Sequence, residues 1–314
     1  KAKMNTLKIS IKTDRSGKSI IMLGDKKVTT SKTGAGLEGV VEFHYRKITG
    51  TKAPYAMIVG ETGINEPLPS EKFNINQRFD FVEKLVGMVA DGVQPSAIIT
   101  GEGGLGKTYT VVKTLEAKGY KDISDLGDFE VGTIINARKC FTMVKGYSTP
   151  KGLYRTLFEN NKSIIVFDDC DSVLKDPVAL NLLKSALDSY GKRIISWNAD
   201  MKDEDLPRSF NFEGRVIFIS NMDDGRIDQA IRSRSMMIDL SMNSDQKIER
   251  METIAQSLDF LPEYSAEIKA DALALIREIK EEVKEISLRT LISVAKVRAS
   301  NKEWKDLATY MLVA

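Results

Sequence analysis

Gly101-Glu102-Gly103-Gly104-Leu105-Gly106-Lys107-Thr108 meets every fixed position of the pattern G-x-x-x-x-G-K-[ST]. A loop of this kind binds phosphate for a simple reason. Glycines let the backbone curl until successive N–H groups point inward at anionic oxygens, and the helix that follows presents its positive end to them. In that arrangement Lys107 reaches the outer phosphates and the Thr108 hydroxyl sits on Mg2+. Gly101, Gly103, Gly104, Leu105, Gly106 and Tyr109 are the other positions expected around the phosphate chain. The flanks agree. Ala97-Ile98-Ile99-Thr100 is a short apolar run suited to a buried strand, and 109–118 reads as a helix stopped by Gly119.

Downstream, Ile164-Ile165-Val166-Phe167 runs straight into Asp168-Asp169. A buried strand that stops in acids is costly unless something binds there. Asp168 is expected to support the Mg2+ of a nucleotide, and Asp169 to orient or deprotonate an attacking water. Asp171 reads as a helix cap. Val216-Ile217-Phe218-Ile219-Ser220-Asn221 is a further apolar strand, ending in an amide. Asn221, placed beside Asp169, either holds the water or contacts the γ-phosphate, or else forms a turn before Asp223-Asp224-Gly225. Strands at 140–144 and 236–240 and helices at 151–160 and about 179–187 complete an alternation that implies a parallel sheet covered on both faces. Ligands of such sheets bind beyond the carboxyl ends of the strands, where the glycine loop and the two aspartates fall.

Asn76 is expected to cap a helix running to about Asp91, with Phe79, Val82, Leu85, Val86 and Val89 on its apolar stripe. Residues 120–139 show no clear period. Arg232 and Arg234, in Ala230-Ile231-Arg232-Ser233-Arg234-Ser235, are either both partners of a helix dipole, or one of them is inserted into a neighbouring copy's nucleotide. After Ser241 the pattern is helical, at 245–258, 266–286, 288–299 and 302–312. Arg289 opens one of these helices.

Before residue 60 the chain reads as β structure. Leu7 to Lys12 alternates apolar and polar, and 19–23, 28–31, 40–48 and 56–59 are further strand candidates. His44 falls in one of them, as a packed or surface residue. Gly17-Lys18-Ser19 imitates the end of a phosphate loop, but Lys12 stands where its first glycine is needed. The stretch 60–70 is the linker candidate.

The chain has 314 residues, enough for two or three domains, and an ordinary composition with 42% hydrophobic and 29% charged residues. Its net charge of +2 is unevenly spread: residues 1–60 carry 12 Lys and Arg against 4 Asp and Glu, leaving 34 against 40 elsewhere. That basic end is either a nucleic-acid-facing surface or a solvated one. Two cysteines and one histidine exclude a disulfide framework, speak against a zinc site, and fit a reducing cytoplasm. No apolar run reaches membrane-span length and no signal peptide opens the chain. Lys1 in place of a start methionine implies a trimmed chain or a leader, with Met4 as the candidate native start.

The order of these parts resembles the AAA+ ATPases over residues 75 to 314. The resemblance equates Gly101–Thr108 with Walker A and Ile164–Asp169 with Walker B. It also equates Asn221 with sensor 1, Arg234 with the arginine finger and Arg289 with sensor 2 in a helical lid. The family's Walker B usually ends Asp-Glu, and Asp168-Asp169 places the second carboxylate about one bond further from the water. Gly146-Tyr147-Ser148-Thr149-Pro150, Asp168-Asp169-Cys170-Asp171 and Phe210-Asn211-Phe212-Glu213-Gly214 look most like AAA+ proteins of tailed-phage genomes. What the resemblance implies is a P-loop αβα core at 61–240, a lid at 241–314 and a small β-rich domain at 1–60. It further implies ATP and Mg2+ as cofactors, Lys107, Asp169, Asn221 and Arg234 as catalytic residues, and a homo-oligomeric ring, a hexamer among the alternatives. Tyr147 and the 193–214 segment are candidate pore elements. The polymer worked on is DNA in one reading, on the strength of the basic end. It is a protein in the other, on the strength of Tyr147 and the acidic tip of the 193–214 segment.

Overall fold

The computed structural model describes residues 9–13, 18–31, 35–50, 72–125, 130, 132–134, 139–198, 206–222 and 224–314. It divides into two compact units, Lys1–Lys72 and Phe73–Ala314. The expected start of the first strand at Leu7, the strand at 56–59, the linker at 60–70 and most of the tip of the 193–214 segment lie outside the described residues.

In the first unit, β1 (Ile9–Thr13), β2 (Ser19–Leu23) and β3 (Lys26–Thr30) form an antiparallel sheet in the order β1-β2-β3. The strand expected at 40–48 is instead part of a helix, α1 (Ala35–Thr49), and His44 is helical. Local β-branched and aromatic content suggested a strand, but the i, i+4 spacing of buried Val41 and Tyr45 puts both on the face packed with Ile9, Ile21 and Leu23. Glu42 and Arg46 pair at 3.3 Å one turn apart.

The second unit holds a six-stranded parallel sheet. Its strands are β4 (Ser96–Thr100), β5 (Lys121–Asp122), β6 (Cys140–Lys145), β7 (Ile164–Asp168), β10 (Arg215–Ile219) and β11 (Met236–Asp239), in the order β11-β4-β10-β7-β6-β5. A short antiparallel pair, β8 (Ile194–Ser196) and β9 (Ser209–Asn211), precedes β10. The central strands are apolar without alternation because both faces are covered. Ala97, Ile99, Ile164, Val166, Ile217 and Ile219 face one core, and Ile98, Ile165, Phe167, Val216 and Phe218 the other.

The first core is shared with α2 (Ile75–Ala90), α3 (Lys107–Ala117) and the helices that end the chain: α7 (Ser244–Ala255), α8 (Ala266–Glu278), α9 (Leu288–Ser300) and α10 (Trp304–Val313). The second is closed by α4 (Pro150–Glu159), α5 (Pro177–Ala186) and α6 (Gln229–Arg232). The helix expected over 266–286 stops at Glu278, and the turns that follow are held by Lys280 on Asp245 and by Ile286 in the core. Asn74, not Asn76, caps α2, through a capping box with Gln77. Asn76 instead bonds Thr253 and Arg250 on α7. Asp176 caps α5, while the carboxylate of Asp171 accepts from the Ser220 hydroxyl at 2.6 Å.

Candidate functional site

The parallel sheet brings the ends of β4, β7 and β10 side by side, and the loops that leave them converge on one cavity of about 570 Å³. Gly101 turns the chain out of β4 at φ 126°, where a Cβ would stand 2.8 Å from the Leu240 carbonyl carbon. Only glycine fits there. Gly104, at φ 80°, packs on the Ser287 side chain and accepts a 2.8 Å hydrogen bond from the Leu288 N–H. Gly106 is the left-handed N-cap of α3, so the first amides of that helix open toward the cavity without a side-chain cap. Leu105 is wholly buried and anchors the loop from beneath. Gly103 faces the Asn221 amide.

Lys107 is 5% exposed, and burial pulls its pKa down against the pull of Asp169, Asp168, Asp171 and Glu102. Its ammonium is folded back on its own loop, donating to the carbonyls of Gly101 and of Glu102 (2.7 Å) and to Asn221 Oδ1 (3.0 Å). Thr108 Oγ1 lies 3.1 Å from both carboxylate oxygens of Asp168. Asp168 is 8% exposed, and burial raises its pKa, opposed by the Thr108 hydrogen bond. Its neighbour Asp169 has the left-handed φ of 56°, an uncommon conformation that turns its carboxylate out of the strand. Asn221 Nδ2 holds that carboxylate at 2.6 Å.

Tyr109 and Arg289 are exposed and line the same cavity. Arg232 and Arg234 do not line it. The Arg234 carbonyl accepts from Ser96 Oγ at 3.4 Å, at the opposite end of β4 from the glycine loop. Its guanidinium is half-buried, with Nη1 on the Ala230 carbonyl at 2.9 Å, whereas the side chain of Arg232 is exposed.

Three features were not read from the sequence. Lys145 and Gly146 complete the cavity wall, and Lys145 Nζ stands 3.9 Å from Asp168 Oδ2. A second cavity of about 380 Å³ adjoins the first at Gly106 and Tyr109 and is walled by Ile254, Phe260 and Leu288 with Thr253 and Asp259. Glu102, in the glycine loop, is paired with Lys247 of α7. Only the position of Lys145, one residue before the signalled Gly146-Tyr147 loop, hinted at any of these.

Among the described residues no group of three or more His, Cys, Asp or Glu is placed to hold a metal. Thr108 and Asp168 offer one hydroxyl and one carboxylate, the sparse hard-oxygen donor set of a magnesium ion that arrives on phosphate. The site therefore fits a magnesium nucleotide in its glycine cradle, its buried cation and its oxygen donors.

No family profile matches the chain. It is 29% identical over 265 residues, 78% of its own length and 77% of the relative's, to an uncharacterized 36.7 kDa protein of the nrdC-mobD intergenic region of Enterobacteria phage T4. The chain is thus similar to a phage protein, and that relative's description assigns no activity. No helix among the described residues is long and apolar enough to cross a membrane.

Proposed function

We propose that the chain is an ATP hydrolase of the AAA+ type, coupling hydrolysis between copies of a ring to remodelling or translocation of DNA. One observation carries the nucleotide reading. Lys107, the Thr108–Asp168 pair and the Asn221–Asp169 pair come from separate stretches and meet at one cavity. The apolar cavity beside it supplies a place for a base.

The chain's own groups divide the work. Amides at the start of α3 and the Lys107 ammonium bind the phosphates, the lysine exchanging loop carbonyls for phosphate oxygens. Thr108 and Asp168 hold Mg2+, which when bound neutralises charge on the transferred phosphoryl group. Asp169 accepts the proton of the attacking water at a carboxylate oxygen, and Asn221 fixes that carboxylate by donating from Nδ2 to Asp169 Oδ1. Arg289 faces the phosphates from the helical segment. Arg232 and Arg234 sit at the far end of β4 from their own glycine loop, so either one serves a neighbouring copy.

DNA as the substrate rests on the excess of 12 basic over 4 acidic residues in positions 1–60. A protein substrate is the second reading, favoured by Tyr147, which is 80% exposed. The test measures ATP binding, phosphate release and particle mass of the purified chain, with and without single- and double-stranded DNA at several salt concentrations. Binding, turnover and ATP-dependent assembly are expected, with nucleotide binding reduced about a hundredfold in Lys107→Ala. A chain that neither retains nor splits ATP in any assembled form refutes the reading. Turnover and binding indifferent to DNA and salt would refute the DNA half and leave the protein substrate.

A further inference from the structure

Nothing in the glycine-loop pattern calls for Lys145. It is the last residue of β6, and the sheet register pairs it with Asp168, the last residue of β7. Its side chain is 66% exposed and lines the same cavity as Lys107, Thr108, Asp169 and Arg289. At 3.9 Å from Asp168 Oδ2 and open to water, the ion pair is long and weakly held. A lysine on a flexible four-carbon stem can leave such a partner readily.

The magnesium-nucleotide reading, on which this inference rests, puts a divalent cation on Thr108 and Asp168. Two cations on one carboxylate repel each other, so the ammonium is displaced. Anchored at the end of β6, it stays at the cavity. The group there that then attracts it is the outermost phosphate. We propose that Lys145 is a further nucleotide-contacting residue, a mobile cation that exchanges Asp168 for the terminal phosphate and makes the site prefer a triphosphate over a diphosphate. Its place in the chain adds a consequence. Gly146 (φ 83°), with open space around it, and the exposed Tyr147 follow directly, so a move of Lys145 is felt in the loop that carries the aromatic side chain.

The experiment compares the full chain with Lys145→Ala and Lys145→Arg. It titrates each, in Mg2+, with a fluorescent non-hydrolysable ATP analogue and with the matching ADP derivative. Lys145→Ala is expected to weaken the triphosphate about tenfold and the diphosphate less than twofold. Lys145→Arg, which keeps the charge, should recover most of the loss. Thermal unfolding without nucleotide should match the parent, since an exposed side chain is changed. Equal weakening of both nucleotides, or no weakening of either, overturns the proposal. A parent chain that binds neither nucleotide refutes the magnesium-nucleotide reading itself, which is a distinct result.

Discussion

Cations bond the backbone at both ends of the parallel sheet, and they are treated differently. At the amino ends, Arg215 opens β10 and donates to the carbonyls of Val89 (2.7 Å) and Ala90 (2.5 Å) and to Tyr120 Oη (3.0 Å). Those carbonyls belong to the last turn of α2, so the guanidinium satisfies a helix terminus and the matter is closed. At the carboxyl ends, Lys107 is more deeply buried. It is held by carbonyls of its own loop, beside two carboxylates and an open cavity. Asp168 is buried enough for its ionised form to be penalised, and Asp169 stands in a left-handed backbone conformation. A structural cation finds fixed acceptors; this one has acceptors it can give up. The contrast separates a polar network that completes the fold from one kept ready for a ligand.

The sharpest attempt to break this division concerns Arg232 and Arg234, which sit at the structural end. If that end also serves a neighbour's cavity, Arg232→Ala should lower turnover of the assembled protein by about 10³-fold or more while each site still binds ATP. Arg234→Ala is the parallel test, since its guanidinium must leave the Ala230 carbonyl to reach a neighbour. Mixing Arg232→Ala with wild type should poison the mixture beyond simple dilution. Turnover proportional to the wild-type fraction would leave the amino ends purely structural. Next in size, Asp169→Asn should retain ATP yet lose about 10²–10⁴-fold in hydrolysis, read by single-turnover phosphate release. An unchanged rate would remove Asp169 from the chemistry and leave its backbone conformation without a role. Arg215→Met probes the other end. Loss of three hydrogen bonds from a half-buried cation should destabilise Phe73–Ala314 by about 3 kcal/mol in denaturant unfolding, with nucleotide affinity intact in the folded fraction.

How far the sequence anticipates these two ends follows from how local each signal is. The glycine loop, the β7 strand with its aspartates and the β10 strand with Asn221 are contiguous stretches, and the sheet brings all three together. Lys145 was missed because a lone lysine at a strand end has no local signature; only the β6–β7 register sets it beside Asp168. The apolar cavity was missed for a similar reason. Gly106 and Tyr109 are near in sequence, but Ile254, Phe260 and Leu288 come from three later segments. In the amino-terminal unit, Val40-Val41-Glu42-Phe43-His44-Tyr45 has strand-like composition, and the helix emerges only from its i, i+4 contact with β2. Helix limits shifted where side chains chose tertiary partners, as Asn76 did with Arg250 and Thr253.

The smallest expected effect tests the contrast most directly, through stability alone. Burial raises the Asp168 pKa, so the native protein holds a proton there more tightly than the unfolded chain does. By linkage, this group's contribution to stability grows as pH falls through the raised value, and above it the ionised form is a net penalty. A paired structural carboxylate behaves in the opposite way. Asp168→Asn, permanently neutral and still able to accept from Thr108, should therefore melt higher than the parent at neutral pH. The gain should be on the order of 1–3 °C without nucleotide. The gain should begin to shrink as the pH falls through the raised pKa and vanish below the ordinary carboxylate value, where Asp168 is protonated in the folded and unfolded chain alike. A variant that melts lower at neutral pH would make Asp168 a partner as fixed as Arg215. The carboxyl ends of the sheet would then be as closed as the amino ends.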